Sequence, residues 1–126
     1  MNNYPHVLSA TTIIDDKVVS TTGEELGTLK ELMIDMDAGR INYAVLSFGG
    51  FLGLGDKLFA IPWEALTTNP EGHTFTLKVD KDQLENAPGF DKDNWPSDIE
   101  YEAGWLLDLY AYYDFPPYWV EPERNR

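Results

Sequence analysis

The chain has 126 residues and a mass of 14.3 kDa, a size typical of one compact domain. It contains no cysteine, which excludes disulfides, iron–sulfur clusters, cysteine zinc sites and thiol catalysis. Nine basic and 22 acidic residues give a formal net charge of −13. This charge argues against nucleic acid and anionic membrane surfaces as partners, because both are bound through lysine and arginine.

Composition and the N-terminal residues indicate where the protein works. The chain is 43% hydrophobic and 13% aromatic, enough to build a core despite the acidic charge. The N-terminal residues lack the basic start and apolar stretch of a secretory signal. The longest apolar run, residues 48–54, is far shorter than the roughly 20 residues of a membrane-spanning helix. We therefore expect a soluble, cytoplasmic protein.

The first half of the chain predicts short strands joined by turns. A strand begins at Val18, and Gly23-Glu24 forms the turn after it. A second strand spans residues 27–35, and Gly39 provides the positive φ of a hairpin turn. The return strand, residues 40–48, is apolar on both sides, which predicts a central, mostly buried strand.

A glycine-rich loop interrupts the strand pattern, with four glycines between residues 49 and 55. A phosphate-binding loop does not fit, because position 58 is Leu and no Gly-Lys-Ser or Gly-Lys-Thr follows. Two interpretations stay open: a bend that closes the sheet, or a loop that docks a partner through Phe51, Leu52 and Leu54.

The rest of this region predicts a strand over 58–62, a helical turn over 63–66 and a strand over 74–79. Asp80 is placed to cap a short helix that runs through Leu84. Many short strands with little helix predict a mainly β fold, a small antiparallel barrel or curled sheet. We expect the barrel to close, since closure protects the edges of a sheet.

The composition changes after the Ala87-Pro88-Gly89 segment. Residues 93–123 carry eight acidic residues and no basic one, and they hold nine of the seventeen aromatic residues. Ser97 and Glu100 have capping-box spacing, which predicts one helix over about 98–113. Pro116-Pro117 ends this helix, and an extended aromatic tail follows.

The C-terminal region also supplies candidate interaction residues. Aromatic and aliphatic residues recur at helical spacing and continue into the tail: Trp105, Leu109, Tyr112, Tyr118 and Trp119. Three occupants of this stripe stay open: the barrel of the same chain, a second copy in a homodimer, or a different protein.

Other motifs give no catalytic, cofactor or metal residues. Residues 35–39, Asp-Met-Asp-Ala-Gly, resemble the start of a calcium loop, but position 46 is Leu where the closing Glu belongs. Asp15-Asp16 is at most a weak divalent site, and His6 and His73 lack a serine and an acid at recognisable spacing. Two alternatives remain to an interaction role: an acidic divalent-cation-binding or stress-related factor, and a small hydrolase that uses an acidic pair.

The order of motifs resembles the PRC-barrel family, named for the photosynthetic reaction centre H subunit. The resemblance to the barrel covers roughly residues 7–88. Beyond it, the motifs from Trp95 onward are similar to an extension carried by some stand-alone bacterial members. It rests on Gly23-Glu24-Glu25-Leu26-Gly27, Met33-Ile34-Asp35, Gly39-Arg40-Ile41, the glycine-rich loop, Ile61-Pro62-Trp63, Leu84 with Ala87-Pro88, Trp95-Pro96, Tyr112-Tyr113 and Pro117-Tyr118-Trp119.

This resemblance implies a small antiparallel barrel of about six strands used for binding or assembly, as in a ribosome-maturation factor, and implies no catalytic residues. The chain lacks the membrane helix of the photosynthetic subunit and the second barrel of the maturation factor, so neither role transfers. We expect a PRC-barrel domain over residues 1–90 and an acidic aromatic extension over 91–126. The expected function is a non-catalytic interaction or assembly module, with a protein partner or a second copy in a homodimer and no small-molecule substrate.

Overall fold

The computed structural model of the protein describes residues 4–49, 56–69 and 71–120. Seven strands form one sheet in the spatial order β5-β6-β1-β2-β3-β4-β7. The strands are β1 Lys17–Ser20, β2 Glu25–Asp35, β3 Arg40–Gly49, β4 Asp56–Pro62, β5 Leu66–Asn69, β6 Thr74–Leu77 and β7 Gly89–Phe90. The helices are α1 Ala10–Ile13, α2 Lys81–Glu85, α3 Asp98–Glu102 and α4 Trp105–Tyr112, and a 3-10 turn spans Trp63–Ala65.

The long β2–β3 hairpin is the centre of the sheet. Its turn follows Asp35, whose carboxylate accepts hydrogen bonds from the N–H groups of Asp37 at 3.0 Å and Ala38 at 3.1 Å. Gly39 completes the turn at φ +67°, a conformation that costs glycine nothing. The predicted hairpin is confirmed. The two hydrogen bonds of Asp35 stabilise the turn, a common role of Asx side chains at that position.

Strand β3 is central and buried, as its sequence predicts. It pairs antiparallel with β2 on one side and with β4 on the other. Residues 42–46 are all buried. A strand covered on both faces needs apolar side chains on both, which is why its sequence shows little polar alternation.

Gly27 allows β2 to cross tightly over β3. Its φ is +149°, and a Cβ placed there would lie 2.1 Å from the carbonyl oxygen of Ser47. Only glycine fits such a close approach of two backbones. The β1–β2 pairing also shifts its register just beside this position, between Val18 and Val19.

The predicted mainly β, largely antiparallel fold is confirmed, and the structure differs from the expected closed barrel in two details. Strand β1 pairs in parallel with β6, whereas all other pairings are antiparallel. Within the described residues, the edge strands β5 and β7 do not pair with each other, so the seven-stranded sheet stays open. Side chains of α4 lie in the core beside the sheet and provide cover that closure would otherwise provide.

The single helix predicted over about 98–113 is two helices. The capping box of Ser97 and Glu100 is present and begins α3. Gly104 then takes φ +98° and becomes the N-terminal cap of α4. A left-handed residue ends an α-helix, so the chain turns between α3 and α4 although the aromatic spacing continues across the break. The capping of α2 by Asp80 is also confirmed, with Gln83 N–H donating at 2.7 Å.

The sheet and the C-terminal extension share one hydrophobic core. Side chains from β1, β2, β3, β4, β6 and α2 form most of it, and the extension adds Leu109, Tyr110 and Tyr113. Leu109 and Tyr110 are fully buried. Burial of a side chain of this size contributes about 2 kcal/mol, so the extension is a structural part of the folded body.

Candidate interaction surface

The extension is fixed to the sheet by tyrosine hydroxyl groups. The hydroxyl of the buried Tyr110 donates to the backbone carbonyl of Asn42 in β3 at 2.8 Å. Tyr112 donates to the backbone carbonyl of Gln83 in α2. Both acceptors belong to the sheet region, so these two bonds set the position of α4.

Tyr118 makes a second set of contacts at the end of the β2–β3 hairpin. Its hydroxyl donates to Oδ2 of Asp35 at 2.6 Å and accepts from Nδ2 of Asn42 at 2.9 Å. The guanidinium of Arg40 lies 3.7 Å from the centre of its ring, a cation–π contact. Arg40 also pairs with Glu64 at 2.7 Å. We call this set the Tyr118 network.

The electrostatics of the network follow from these bonds. The hydrogen bond from Tyr118, and then the N–H of Ala38, lower the pKa of Asp35. Burial, and then the adjacent carboxylate, raise the pKa of Tyr118. The hydroxyl therefore stays protonated at neutral pH and acts as a donor to an ionised Asp35.

The tyrosine's single proton fixes the orientation of Asn42. Because that proton goes to Asp35, the asparagine group that faces Tyr118 must be its NH₂ donor. This leaves Oδ1 of Asn42 buried with no hydrogen-bond partner among the described residues. An unpaired buried acceptor is costly, about 1–3 kcal/mol, and the rest of the network has to offset that cost.

An aromatic cluster lies on the other side of Asn42. The hydroxyl groups of Tyr43 and Tyr101 are 2.7 Å apart. The ring of Trp105 lies 5.4 Å from that of Tyr43 and 5.9 Å from that of Tyr101, centre to centre. Burial, and then the bond to Tyr101, raise the pKa of Tyr43 well above its ordinary value. The cluster connects α3, α4 and β3.

A groove opens between the hairpin turn and the C-terminal segment, with a volume of about 700 Å³. We call it the hairpin groove. Ile34 and Met36 stand at its edge, exposed by 59% and 84%. Three carboxylates, those of Asp35, Asp37 and Asp98, also line it. The remaining lining residues are Met33, Ala38, Asn42, Tyr43, Tyr101, Leu106 and Trp119.

The structure separates the five predicted interaction residues of the extension. Leu109 is fully buried in the core, and Trp105 is part of the aromatic cluster. Tyr112 is partly buried against α2, and Tyr118 forms the network that bears its name. Trp119 lines the hairpin groove with 37% of its surface exposed, and its ring packs edge-on at 4.8 Å from Tyr110. Phe51, Leu52 and Leu54 lie outside the described residues.

Sequence reasoning missed the hairpin itself as a candidate surface. Ile34 and Met36 lie next to Asp35 and Asp37, in a segment for which the sequence predicted only a hairpin turn. A methionine in the turn was the available indication, because turns favour polar residues and glycine. Asn42 had no such indication, since its role depends on Tyr118, 76 residues away.

In the part of the chain that the structure describes, no three His, Cys, Asp or Glu side chains come together to hold a metal ion. Across the same residues, no helix has both the length and the apolar character needed to cross a bilayer.

A seven-stranded, mostly antiparallel sheet with a parallel β1–β6 pair and a long central hairpin defines the fold class of the chain. The family model of the PRC-barrel domain matches residues 5–84. The chain belongs to the PRC-barrel family, and the resemblance stated from the sequence is confirmed. A search of curated proteins returned no significant match.

Proposed function

We propose that this chain is a non-catalytic protein-interaction module that binds its partner in the hairpin groove. The observation that carries the proposal is the pair of exposed apolar side chains, Ile34 and Met36, at the edge of that groove. Hairpin turns are normally polar, and exposed apolar clusters commonly mark interaction sites. Membership of the PRC-barrel family is consistent with a role without catalysis.

The surroundings of the groove favour a rigid binding surface. The Tyr118 network connects the turn residue Asp35, the β3 residues Arg40 and Asn42, and the C-terminal segment. Binding to a surface that is already ordered loses less conformational entropy than binding to a loose one.

The charges of the groove favour a cationic partner. Its lining carries three carboxylates, and no lysine or arginine is among the described lining residues. The whole chain adds to the same field with its net charge of −13. We therefore propose as occupant a protein segment that combines apolar side chains with lysine or arginine, since complementary charge speeds association and excludes acidic partners.

Affinity capture with matched variants tests this proposal. The bait variants are wild type, the double variant Ile34→Ser/Met36→Ser, and the control Leu107→Ser, which removes an exposed leucine of α4 outside the groove lining. We expect a protein retained by wild type and control to be lost from the double variant and to elute at high salt. Identical captured proteins on all three baits would contradict the proposal.

The homodimer expected from the sequence stays a prediction and is tested separately. Light scattering coupled to size exclusion at tens of micromolar gives the mass of the assembly. A mass of two chains is the expected result. If the double variant is also a dimer, self-association uses a surface other than the hairpin groove. We expect that result, because the acidic grooves of two copies would repel each other.

A further inference from the structure

A second cavity, smaller than the hairpin groove, lies beside β6 and the 3-10 turn. Its volume is about 180 Å³, and its lining is mostly apolar. We call it the Trp63 cavity. An engineered protein cavity of about 150 Å³ holds benzene, so this volume suits a ligand of a few non-hydrogen atoms. The lining residues that bear most on the chemistry of the cavity are Leu8, Ile13, Asp16, Trp63, Phe75 and two histidines, His6 and His73.

One carboxylate faces this apolar lining. The side chain of Asp16 is only 13% exposed. Its nearest positive partner is Nδ1 of His73, 3.7 Å from Oδ2, and His73 itself is more than half exposed. A largely buried carboxylate is usually paired with lysine, arginine or several hydrogen-bond donors. Among the described residues, the ion-pair partner of Asp16 is this one histidine, and no lysine or arginine pairs with it.

Aromatic rings complete the site. Trp63 and Phe75 both line the cavity, with ring centres 6.2 Å apart and a tilt of 57°. Tryptophan is the best cation–π partner among the aromatic residues. Leu8 and Ile13 add aliphatic surface that would accept alkyl groups and repel a strongly hydrated metal ion.

We propose that the Trp63 cavity binds a small alkylammonium cation, with its charge facing Asp16 and its alkyl groups against Trp63, Phe75, Leu8 and Ile13. A quaternary ammonium is weakly hydrated and so loses little on entering an apolar site, whereas a primary alkylammonium keeps three N–H donors that can bond to Asp16. Either cation supplies a positive charge to Asp16. The same chemistry has two sources, a free quaternary ammonium compound and the side chain of a lysine. This proposal is independent of the hairpin groove.

The full ¹⁵N-labelled chain tests it by nuclear magnetic resonance. The four tryptophan indole N–H groups give four cross-peaks, and loss of one in Trp63→Phe assigns Trp63. The other three, Trp95, Trp105 and Trp119, lie outside the cavity lining and are internal controls. Tetramethylammonium and n-butylammonium are the probes for the two sources, and the tighter binder identifies the source.

We expect a saturable shift of the Trp63 peak alone, with a dissociation constant of about 1 mM for so small a ligand. Asp16→Asn should weaken binding by about tenfold or more. Asp15→Asn is the matched control: it removes the same charge one residue away, at a positive φ that asparagine tolerates, and should leave binding unchanged.

A neutral probe keeps the test decisive even if Asp16→Asn does not fold. tert-Butanol has nearly the shape of tetramethylammonium without its charge and should bind the wild-type chain more weakly by about tenfold. Equal binding of tert-butanol, equal binding to Asp16→Asn, or no saturable shift with either cation would overturn the proposal.

Discussion

The sheet region, residues 17–90, and the C-terminal extension, residues 91–120, are held in place in different ways. Backbone hydrogen bonds join neighbouring strands along the sheet. The extension adds no strand after β7, and tyrosine hydroxyls position it instead: Tyr110 on Asn42, Tyr112 on Gln83 and Tyr118 on Asp35. Strand pairing through the backbone therefore orders the first region, while a few side-chain hydroxyl groups position the second.

The largest expected effect comes from a substitution at a close backbone contact in the sheet region. Gly27→Ala places a methyl group 2.1 Å from the carbonyl oxygen of Ser47 and strains a positive φ. We expect a loss of about 4 kcal/mol in the free energy of unfolding, measured by urea denaturation. Gly23→Ala is the control: its φ is also positive, but its Cβ meets open space, so a loss of only about 1 kcal/mol is expected. Equal losses would contradict the clash.

The next largest effect tests whether the sheet region and the extension unfold together. Leu109→Ala removes a fully buried side chain of the extension, and we expect a loss of about 3 kcal/mol with a single cooperative transition. Leu107→Ala, on the exposed side of the same helix, should change stability by less than about 0.5 kcal/mol. Two separate transitions in Leu109→Ala would show that the extension is not part of the common core.

Two tyrosines of α4 and its C-terminus form a matched pair for the role of a hydroxyl group. Tyr110→Phe removes a hydrogen bond to Asn42 and leaves that buried carbonyl with one partner fewer, so a loss of about 1 kcal/mol is expected. The hydroxyl of Tyr113 is buried and has no hydrogen-bond partner among the described residues, so Tyr113→Phe should be neutral or slightly stabilising. Thermal unfolding of both variants measures the difference, and a larger loss in Tyr113→Phe would contradict it.

The smallest effect depends on pH. The pKa of Asp35 is lowered in the folded chain, chiefly by Tyr118, so its stabilising contribution is complete above the pKa of the unfolded chain. It is lost as the pH falls through the lower, folded pKa, in the acid range below about pH 4. We expect Tyr118→Phe to be less stable than wild type at pH 7, with the gap narrowing in acid. Urea denaturation of both proteins at pH 7 and in the acid range measures their difference in the free energy of unfolding. A difference that does not change with pH would contradict the prediction.

Features that depend on residues close in sequence could be predicted, and features that depend on distant residues could not. The turn at Gly39, the buried strand β3 and the caps at Asp80 and Ser97 each depend on residues close in sequence. The parallel β1–β6 pair depends on residues 17–20 meeting residues 74–77, and no local pattern encodes that meeting.

The C-terminal extension shows the same limit more strongly. Its residue types indicated an aromatic stripe, but Gly104 interrupts the helix and changes which side chains share a face. Leu109 was predicted among the interaction residues and lies in the core, while Ile34 and Met36 were assigned to a strand and a turn and lie exposed. Which side of each element meets the rest of the molecule is decided by tertiary packing.

The contacts of Tyr118 have a consequence for the order in which the chain assembles. They join residues 76 and 83 positions apart, so they form only when the chain through Tyr118 is available. The β2–β3 hairpin joins near neighbours and is able to form much earlier, because short loops close at a smaller entropic cost. During synthesis the acidic turn would therefore stay without its Tyr118 contacts until residue 118 has left the ribosome.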